Sequence, residues 1–213
     1  MLNLRFAKDY LLHRLKGKTR HGTHSPFVYR LVDEVIYDFS PKKVYDEPES
    51  LRRELLSDKR VTAKSALNPP KLDQLLYRLV ADLQPKSMIE LGTEWGIMSV
   101  YLKKAAPEAQ LYTLKNSSDT LPGVIGKLDK LDFVFIDGNH TTEAALRYFE
   151  WCLPKVHENT LLIFDDIYRS EGMKEAWNEI KAHPQVTVTI DLFWMGLVYF
   201  RKGQLKEDFI IKF

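Results

Sequence analysis

The chain has little of what marks several common classes of protein. It has one cysteine, Cys152, among 213 residues, so no disulfide can form within the chain and a reducing compartment is the simplest expectation. No stretch approaches the roughly 18 apolar residues of a membrane span. Arg5, Lys8 and Asp9 interrupt the N-terminal segment where a signal peptide needs an apolar run. The net charge of +2 gives no general reason to expect nucleic acid as a partner. We therefore expect a soluble, cytoplasmic protein without a transmembrane segment.

The sequence also lacks the motifs of several enzyme classes. It contains no P-loop, no Cys/His spacing typical of zinc sites and no Ser/His/Asp arrangement. A nicotinamide oxidoreductase would need Gly-x-Gly-x-x-Gly and an acidic residue after the second strand of the domain. The chain has "GTEWG" in place of the first and Lys115 in place of the second. These absences argue against a P-loop protein, a Cys/His zinc protein, an enzyme with Ser/His/Asp catalysis and a nicotinamide oxidoreductase.

Residues 1–65 read as a helical segment placed before the main domain. Leu4, Ala7, Leu11 and Leu15 recur at the spacing of one helical stripe. A second helix is expected after Ser25, a typical N-cap residue, with proline at its first position. Basic residues run through the first helix and the turn after it. They fit either a solvated helix face, the commoner case, or contact with an anionic lipid or nucleic acid. We interpret residues 1–65 as an N-terminal helical cap.

Residues 66–213 alternate short apolar runs with helical patterns. The runs are "SMIEL", "AQLYTL", "DFVFI", "TLLIF", "VTVTIDLF" and "LVYFR". Strands that are apolar on both faces and alternate with helices indicate a parallel sheet covered by helices. Only "WMG" separates the last two runs, which is too short for a crossover, so these strands should form an antiparallel hairpin. The sequence predicts an α/β domain.

A glycine-containing turn follows the first strand of this domain. In "IELGTEWGIMSVYL", Gly92 allows a sharp turn and Gly96 allows close approach of backbone to a ligand or a helix. Such a turn also occurs where no ligand binds, so alone it is a weak signal. Together with the hairpin it gives residues 66–203 a resemblance to the class I S-adenosylmethionine (SAM)-dependent methyltransferases. The spacing is most similar to that of the catechol and caffeoyl-CoA O-methyltransferase branch.

This resemblance implies a Rossmann-like sheet and SAM as cofactor, bound along the glycine turn. The residues it assigns to cofactor binding are Glu90, Gly92, Thr93, Glu94, Trp95 and Gly96. It further implies O-methyl transfer to a small molecule.

Acidic side chains end two later strands, in "DFVFIDGNH" and "TLLIFDDIY". They are Asp137, Asp165 and Asp166, and they should meet the glycine turn at the carboxyl edge of the sheet. The resemblance implies that they bind Mg²⁺ or another divalent cation, for which carboxylate oxygens are suitable ligands. It also makes Asp137 and His140 candidate catalytic residues, with His140 as a general base. Alternatively, Asp166 caps the turn that follows it and Asp137 caps the helix that starts near Thr141.

The connector at residues 116–131 is too short for the usual methyltransferase sheet. It has room for one crossover of about ten to twelve residues rather than two. The third strand of the family should therefore be missing, leaving six strands in the order 2-1-4-5-7-6 in the family's strand names. The acidic residue that holds the ribose normally ends the second strand, where Lys115 stands here. Asp119 is the nearest substitute.

Two functions follow from this sequence. One is a SAM-dependent O-methyltransferase, with or without a metal. The other is a degenerate member of the fold that acts as a binding or assembly module, with weak or absent SAM binding. The sequence leaves open whether the chain forms a homo-oligomer.

Overall fold

The computed structural model describes residues 4–58, 67–92, 95–115 and 120–213. In these ranges the chain forms helices around one mixed β-sheet. The helices are α1 (Leu4–Lys16), α2 (Pro26–Arg30, continued by a π-helical segment, Leu31–Ile36), α3 (Asp46–Ser57), α4 (Pro70–Leu83), α5 (Ile97–Ala105), α6 (Leu121–Gly126), α7 (Thr142–Cys152) and α8 (Glu171–Ala182). Short 3₁₀ turns lie at Arg20–Gly22, Lys43–Tyr45 and Leu153–Lys155.

Seven strands form the sheet in the described residues. They are β1 (Ser87–Leu91), β2 (Gln110–Leu114), β3 (Phe133–Ile136), β4 (Leu161–Asp165), β5 (Val188–Asp191), β6 (Met195–Tyr199) and β7 (Glu207–Ile210). The order across the sheet is β2-β1-β3-β4-β6-β5-β7. Strands β1 to β4 are parallel, and β5 and β6 form the expected antiparallel hairpin. The α/β sheet with an antiparallel hairpin that the sequence predicted is confirmed.

The predicted strand count was wrong, although the order of the six predicted strands is correct. The family's fourth, fifth, sixth and seventh strands correspond to β3, β4, β5 and β6, so 2-1-4-5-7-6 matches the first six positions. The additional strand, β7, pairs in parallel with β5 at the far edge of the sheet. Within the described residues no strand pairs with the outer edge of β2, as expected from the short connector.

The sheet separates two apolar layers. One face packs against α2, α4 and α5, and the other against α6, α7 and α8. The first layer includes Val28, Leu31, Val32, Val35 and Ile36, each at most 5% exposed. The N-terminal helices therefore share a core with the sheet. The proposed division between a cap and an α/β domain falls at residues 65 and 66, which lie outside the described ranges.

Local sequence explains where α2 begins. Ser25 adopts an extended conformation and its hydroxyl accepts a hydrogen bond from the backbone N–H of Val28 at 3.4 Å. Pro26 occupies the first helical position, where a missing N–H costs nothing. The start of α2 is thus the one predicted from "HSPF".

Candidate active site

The glycine turn joins the end of β1 to the start of α5. Gly92 has φ of +92°, and a Cβ atom placed on it would lie 1.1 Å from the carbonyl oxygen of Asp137. Its N–H donates to the carbonyl oxygen of Leu114 at 2.9 Å, and the N–H of Asp137 donates to the carbonyl oxygen of Leu91 at 2.9 Å. Only glycine therefore fits at position 92, where the ends of β1, β2 and β3 meet.

Gly96 has a different environment. It has φ of +75° and precedes α5, and apart from its chain neighbours no atom of the described residues lies within 4 Å of where its Cβ would stand. The left-handed backbone of Gly96 and the open space beside it would allow a ligand to approach this part of the turn closely.

A cleft of about 840 Å³ opens at the carboxyl edge of the sheet. Its wall contains the predicted site residues Glu90, Gly92, Trp95, Gly96, Asp137, His140, Asp165 and Asp166. The structure thus brings the two groups of candidate residues, from the glycine turn and from the strand ends, to one place. The other three predicted cofactor residues, Thr93, Glu94 and Asp119, lie outside the described residues.

Two polar groups near the glycine turn are buried. Glu90 is 2% exposed, and its carboxylate accepts a hydrogen bond from the Ser99 hydroxyl at 2.5 Å. The indole Nε1 of Trp95 is buried without a hydrogen-bond partner among the described residues. A buried donor without a partner is costly, so a ligand that accepts from Trp95 would be favoured here.

Asp165, at the end of β4, is the most deeply buried of the three predicted metal ligands. It is 4% exposed, and its Oδ1 has no hydrogen-bond partner among the described residues. Burial raises the pKa of Asp165 well above the usual carboxyl range, and the negative charges of Asp137 and Asp166 raise it further. A cation bound near this carboxylate would oppose that shift.

Asp166 and His140 lie on the same side of the cleft. The backbone of Asp166 has φ of +53°, and its carboxylate pairs with Arg169 at 2.9 Å. His140 Nε2 lies 3.7 Å from Asp137 Oδ1. Burial lowers the pKa of His140, and the positive charge of Arg169 lowers it further. The neutral form of His140, which can accept a proton, is therefore favoured, although the charge of Asp166 opposes the shift.

The interpretation of Asp137 as the cap of the helix that follows it is wrong, and Asp166 does not cap α8. Thr141 is the N-cap of α7 and accepts from the N–H of Ala144 at 3.3 Å. Ser170 is the N-cap of α8 and accepts from the N–H of Met173 at 3.1 Å. Hydroxyl residues perform the capping, so the carboxylates of Asp137 and Asp166 are not needed for it.

The metal site remains a prediction. Among the described residues, no group of three or more His, Cys, Asp or Glu side chains is arranged to hold a metal ion. The unpartnered oxygen of Asp165 suits a hard cation, whereas Asp166 is turned to Arg169. The set Asp137, Asp165 and Asp166 therefore fits a cation only if Asp166 leaves that ion pair.

Lys115 lies at the end of β2 and lines the cleft. The resemblance places a ribose-binding acid at this strand end, and an ammonium group cannot accept a hydrogen bond. The described residues on this side of the cleft thus lack the carboxylate that the family uses.

The sequence did not indicate a second wall of the cleft, formed by α3 and α4. Arg52 and Asp73 line it, both about 5% exposed or less, and their side chains form a buried ion pair. The guanidinium also contacts Glu49 at 3.1 Å. Asp73 Oδ1 has no hydrogen-bond partner among the described residues, and burial raises the pKa of Asp73 to about 7 although Arg52 opposes this. One signal was present: Asp73 falls among the leucines of the apolar stripe of α4.

Comparison with known proteins agrees with this geometry. A family described as "Methyltransferase domain" matches residues 112–167, which include the second half of β2, all of β3 and β4, and the carboxylates Asp137, Asp165 and Asp166. No curated protein matches the chain in sequence.

Solved structures match much more of the chain. An O-methyltransferase from Bacillus cereus, in complex with SAH, has a TM-score of 0.57 at 16% identity and covers 76% of this chain and 93% of its own. The O-methyltransferase TomG from Streptomyces achromogenes, in complex with SAM, has a TM-score of 0.58 at 16% identity and covers 82% of this chain and 95% of its own. An SAH-bound methyltransferase from Podospora anserina has a TM-score of 0.62 at 10% identity and covers 84% and 97%. The chain therefore has the class I SAM-dependent methyltransferase fold, and the resemblance predicted from its glycine turn is confirmed.

Proposed function

We propose that this protein is a SAM-dependent O-methyltransferase that acts on a small molecule. The observation that carries the proposal is the single cleft that contains both the glycine turn and the strand-end residues Asp137 and His140. Ligands of open α/β sheets bind at this edge. The structural neighbours with SAH or SAM bound support the same cofactor.

Each part of the cleft has a role in this proposal. Gly92, Gly96 and Trp95 would border the methionine part of SAM, and Glu90, which accepts from Ser99 of α5, would hold the turn against that helix. SAM supplies an electrophilic methyl group when it is bound. Neutral His140 would accept the proton of the substrate hydroxyl, which leaves that oxygen nucleophilic, and Asp137, 3.7 Å away, would stabilise the resulting imidazolium.

Metal assistance is a further part of the proposal. Asp137, Asp165 and Asp166 would supply carboxylate oxygens to Mg²⁺ or a similar cation, which would lower the pKa of a substrate hydroxyl. The unpartnered oxygen of Asp165 supports this assignment.

The alternative is a binding or assembly module that retains the fold. Lys115 favours it, because the ribose loses its usual acceptor. The outer edge of β2 also favours it, because an unpaired edge can recruit a strand from a partner or a second copy. A cytoplasmic location stays a prediction that rests on the single cysteine.

Calorimetric titration with SAM and SAH, with and without Mg²⁺, tests the proposal. We expect SAM binding much weaker than micromolar, because two lost charge-assisted hydrogen bonds cost about 1.5–3 kcal/mol each. Asp165→Asn should abolish any effect of Mg²⁺ and leave SAM binding without metal nearly unchanged.

Methyl transfer from SAM to a panel of phenols and catechols, lost in His140→Ala, would support the enzyme. No binding of SAM or SAH at millimolar concentration would favour the module.

A further inference from the structure

The first helix, α1, carries three of its leucines on the side that faces solvent. Leu4, Leu11 and Leu15 are 88%, 60% and 70% exposed, and their spacing places them on one stripe. The buried positions of the helix are Asp9 and His13. A surface helix ordinarily buries its leucines and exposes its charges, so this arrangement is inverted.

Specific contacts hold α1 in this orientation. Asp9 pairs with Lys174 of α8 at 3.1 Å, and His13 Nε2 lies 3.0 Å from the carboxylate of Asp191 at the end of β5. Phe6 and Tyr10 both meet the ring of Phe193 edge-on, with centroids 5.0 Å apart. Rotating the helix to bury its leucines would break all of these contacts. The leucine stripe is therefore a fixed outer surface.

Basic residues accompany the stripe. Lys8, Arg14 and Lys16 are exposed on α1, and in the described part of the chain none of them forms a salt bridge. The helix contains a single acidic residue, Asp9, which is buried and already paired. The outer surface of α1 thus combines leucines and cations without any carboxylate.

This combination is complementary to one kind of surface. We propose that α1 lies in the plane of an anionic lipid membrane, with Leu4, Leu11 and Leu15 in the interface and the basic side chains at lipid phosphates. Such binding depends on apolar burial and on attraction to anionic lipid together. A second copy fits less well, because a two-fold contact between identical helices would oppose cations to cations with no carboxylate to pair with them. Nucleic acid would leave the leucines without a partner.

The proposal concerns attachment to a membrane surface. Within the described ranges no helix combines the length and apolarity needed to cross a bilayer. The buried side of α1 reaches the cleft, since Arg5 donates to the carbonyl oxygen of Arg169 at 2.7 Å and Phe6 contacts Trp194, and both of these partners line the cleft. A membrane under α1 would therefore lie beside the proposed active site.

Vesicle flotation of the full chain tests this proposal. The probes are phosphatidylcholine vesicles with and without about one third phosphatidylserine, at low and high salt. We expect binding to the anionic vesicles only, weakened by salt. Leu4→Ser/Leu11→Ser/Leu15→Ser should reduce the bound fraction more than about tenfold, and Lys8→Gln/Lys16→Gln should reduce it severalfold.

Matched variants control for general surface effects. Leu205→Ser removes an equally exposed leucine, at 89%, from the segment before β7, and Lys127→Gln/Lys130→Gln removes two exposed lysines far from α1 in sequence. Both should bind like the wild type, and all variants should melt at similar temperatures by circular dichroism. Three results would overturn the proposal: no vesicle binding, binding that survives the leucine variant, or a dimer in solution that this variant converts to a monomer.

Discussion

Lys115 is the residue on which the enzyme proposal depends most. It ends β2 and lines the cleft where an acceptor for ribose hydroxyls is expected. Lys115→Glu should tighten SAM binding about ten- to a hundredfold, since a charge-assisted hydrogen bond contributes about 1.5–3 kcal/mol. Calorimetry measures the change, with Lys127→Glu as a control of identical charge away from the cleft. Submicromolar binding by the wild type would contradict the idea that position 115 limits affinity.

The single cysteine makes a second prediction at the scale of one residue. Cys152 is 0% exposed, and burial raises the pKa of its thiol to about 12. At pH 8 the thiolate fraction is on the order of one in ten thousand, and reagent cannot reach the sulfur. We expect no reaction with a disulfide reagent in the native protein and one equivalent in denaturant. Rapid labelling of the native protein at pH 8 would show that α7 opens readily.

At the scale of elements, Asp132 fixes how β1 and β3 begin. Its carboxylate accepts from the N–H groups of Lys86 and Ser87 at 2.8 and 2.9 Å, and His157 Nε2 lies 2.9 Å from its other oxygen. Burial alone would raise the pKa of Asp132, but the hydrogen bonds from Ser87, Lys86 and His157 outweigh it and lower the pKa. Folding therefore favours the charged form of the Asp132 carboxyl group.

Asp132→Ala should therefore lower the free energy of unfolding by about 1–3 kcal/mol at pH 7. The stabilisation by Asp132 is complete above the ordinary carboxyl pKa of about 3.9 and disappears as the pH falls through the lowered value. Urea unfolding at several pH values should show the two proteins converging in acid. Asp129→Ala, an exposed neighbour, is the control. A constant difference down to pH 2 would exclude the carboxylate as its cause.

The elements also explain which features the sequence could predict. The strand order followed from the resemblance to the methyltransferases, and the absence of the third strand followed from the length of the connector at 116–131, a covalent limit that packing cannot override. Strand β7 was missed because "EDFI" carries two charges and forms a strand only beside the edge of β5. The pair Arg52–Asp73 was missed because the site depends on α3 and α4 folding across the cleft. The stripe on α1 was recognised from its period, but a period does not tell which side of a helix faces the protein.

At the scale of the whole molecule, the N-terminal helices and the sheet should unfold together. Five aliphatic side chains of α2 and its π-helical extension are nearly fully buried against α4 and the sheet. Burial of each contributes about 1.5–3 kcal/mol, which together is comparable to the entire stability of a domain, about 5–15 kcal/mol. We expect a chain lacking residues 1–58 to show no cooperative thermal transition. In the intact chain, circular dichroism and tryptophan fluorescence should give one shared midpoint. A folded truncated chain would make the cap an independent unit.

The pairing of β7 has a consequence for how the protein is made. The N–H of Lys18 donates to the carbonyl oxygen of Ile210, the N–H of Lys212 donates to the carbonyl oxygen of Lys18, and the Tyr37 hydroxyl donates to the carbonyl oxygen of Lys212. The segment after α1 thus finds its backbone partners in residues that leave the ribosome long after it does. Contacts so distant in sequence form late and slowly. Until β7 and the partners of α1 in α8 and after β5 have emerged, the leucine stripe of α1 belongs to an undocked nascent segment, free to meet chaperones or lipid before the fold is complete.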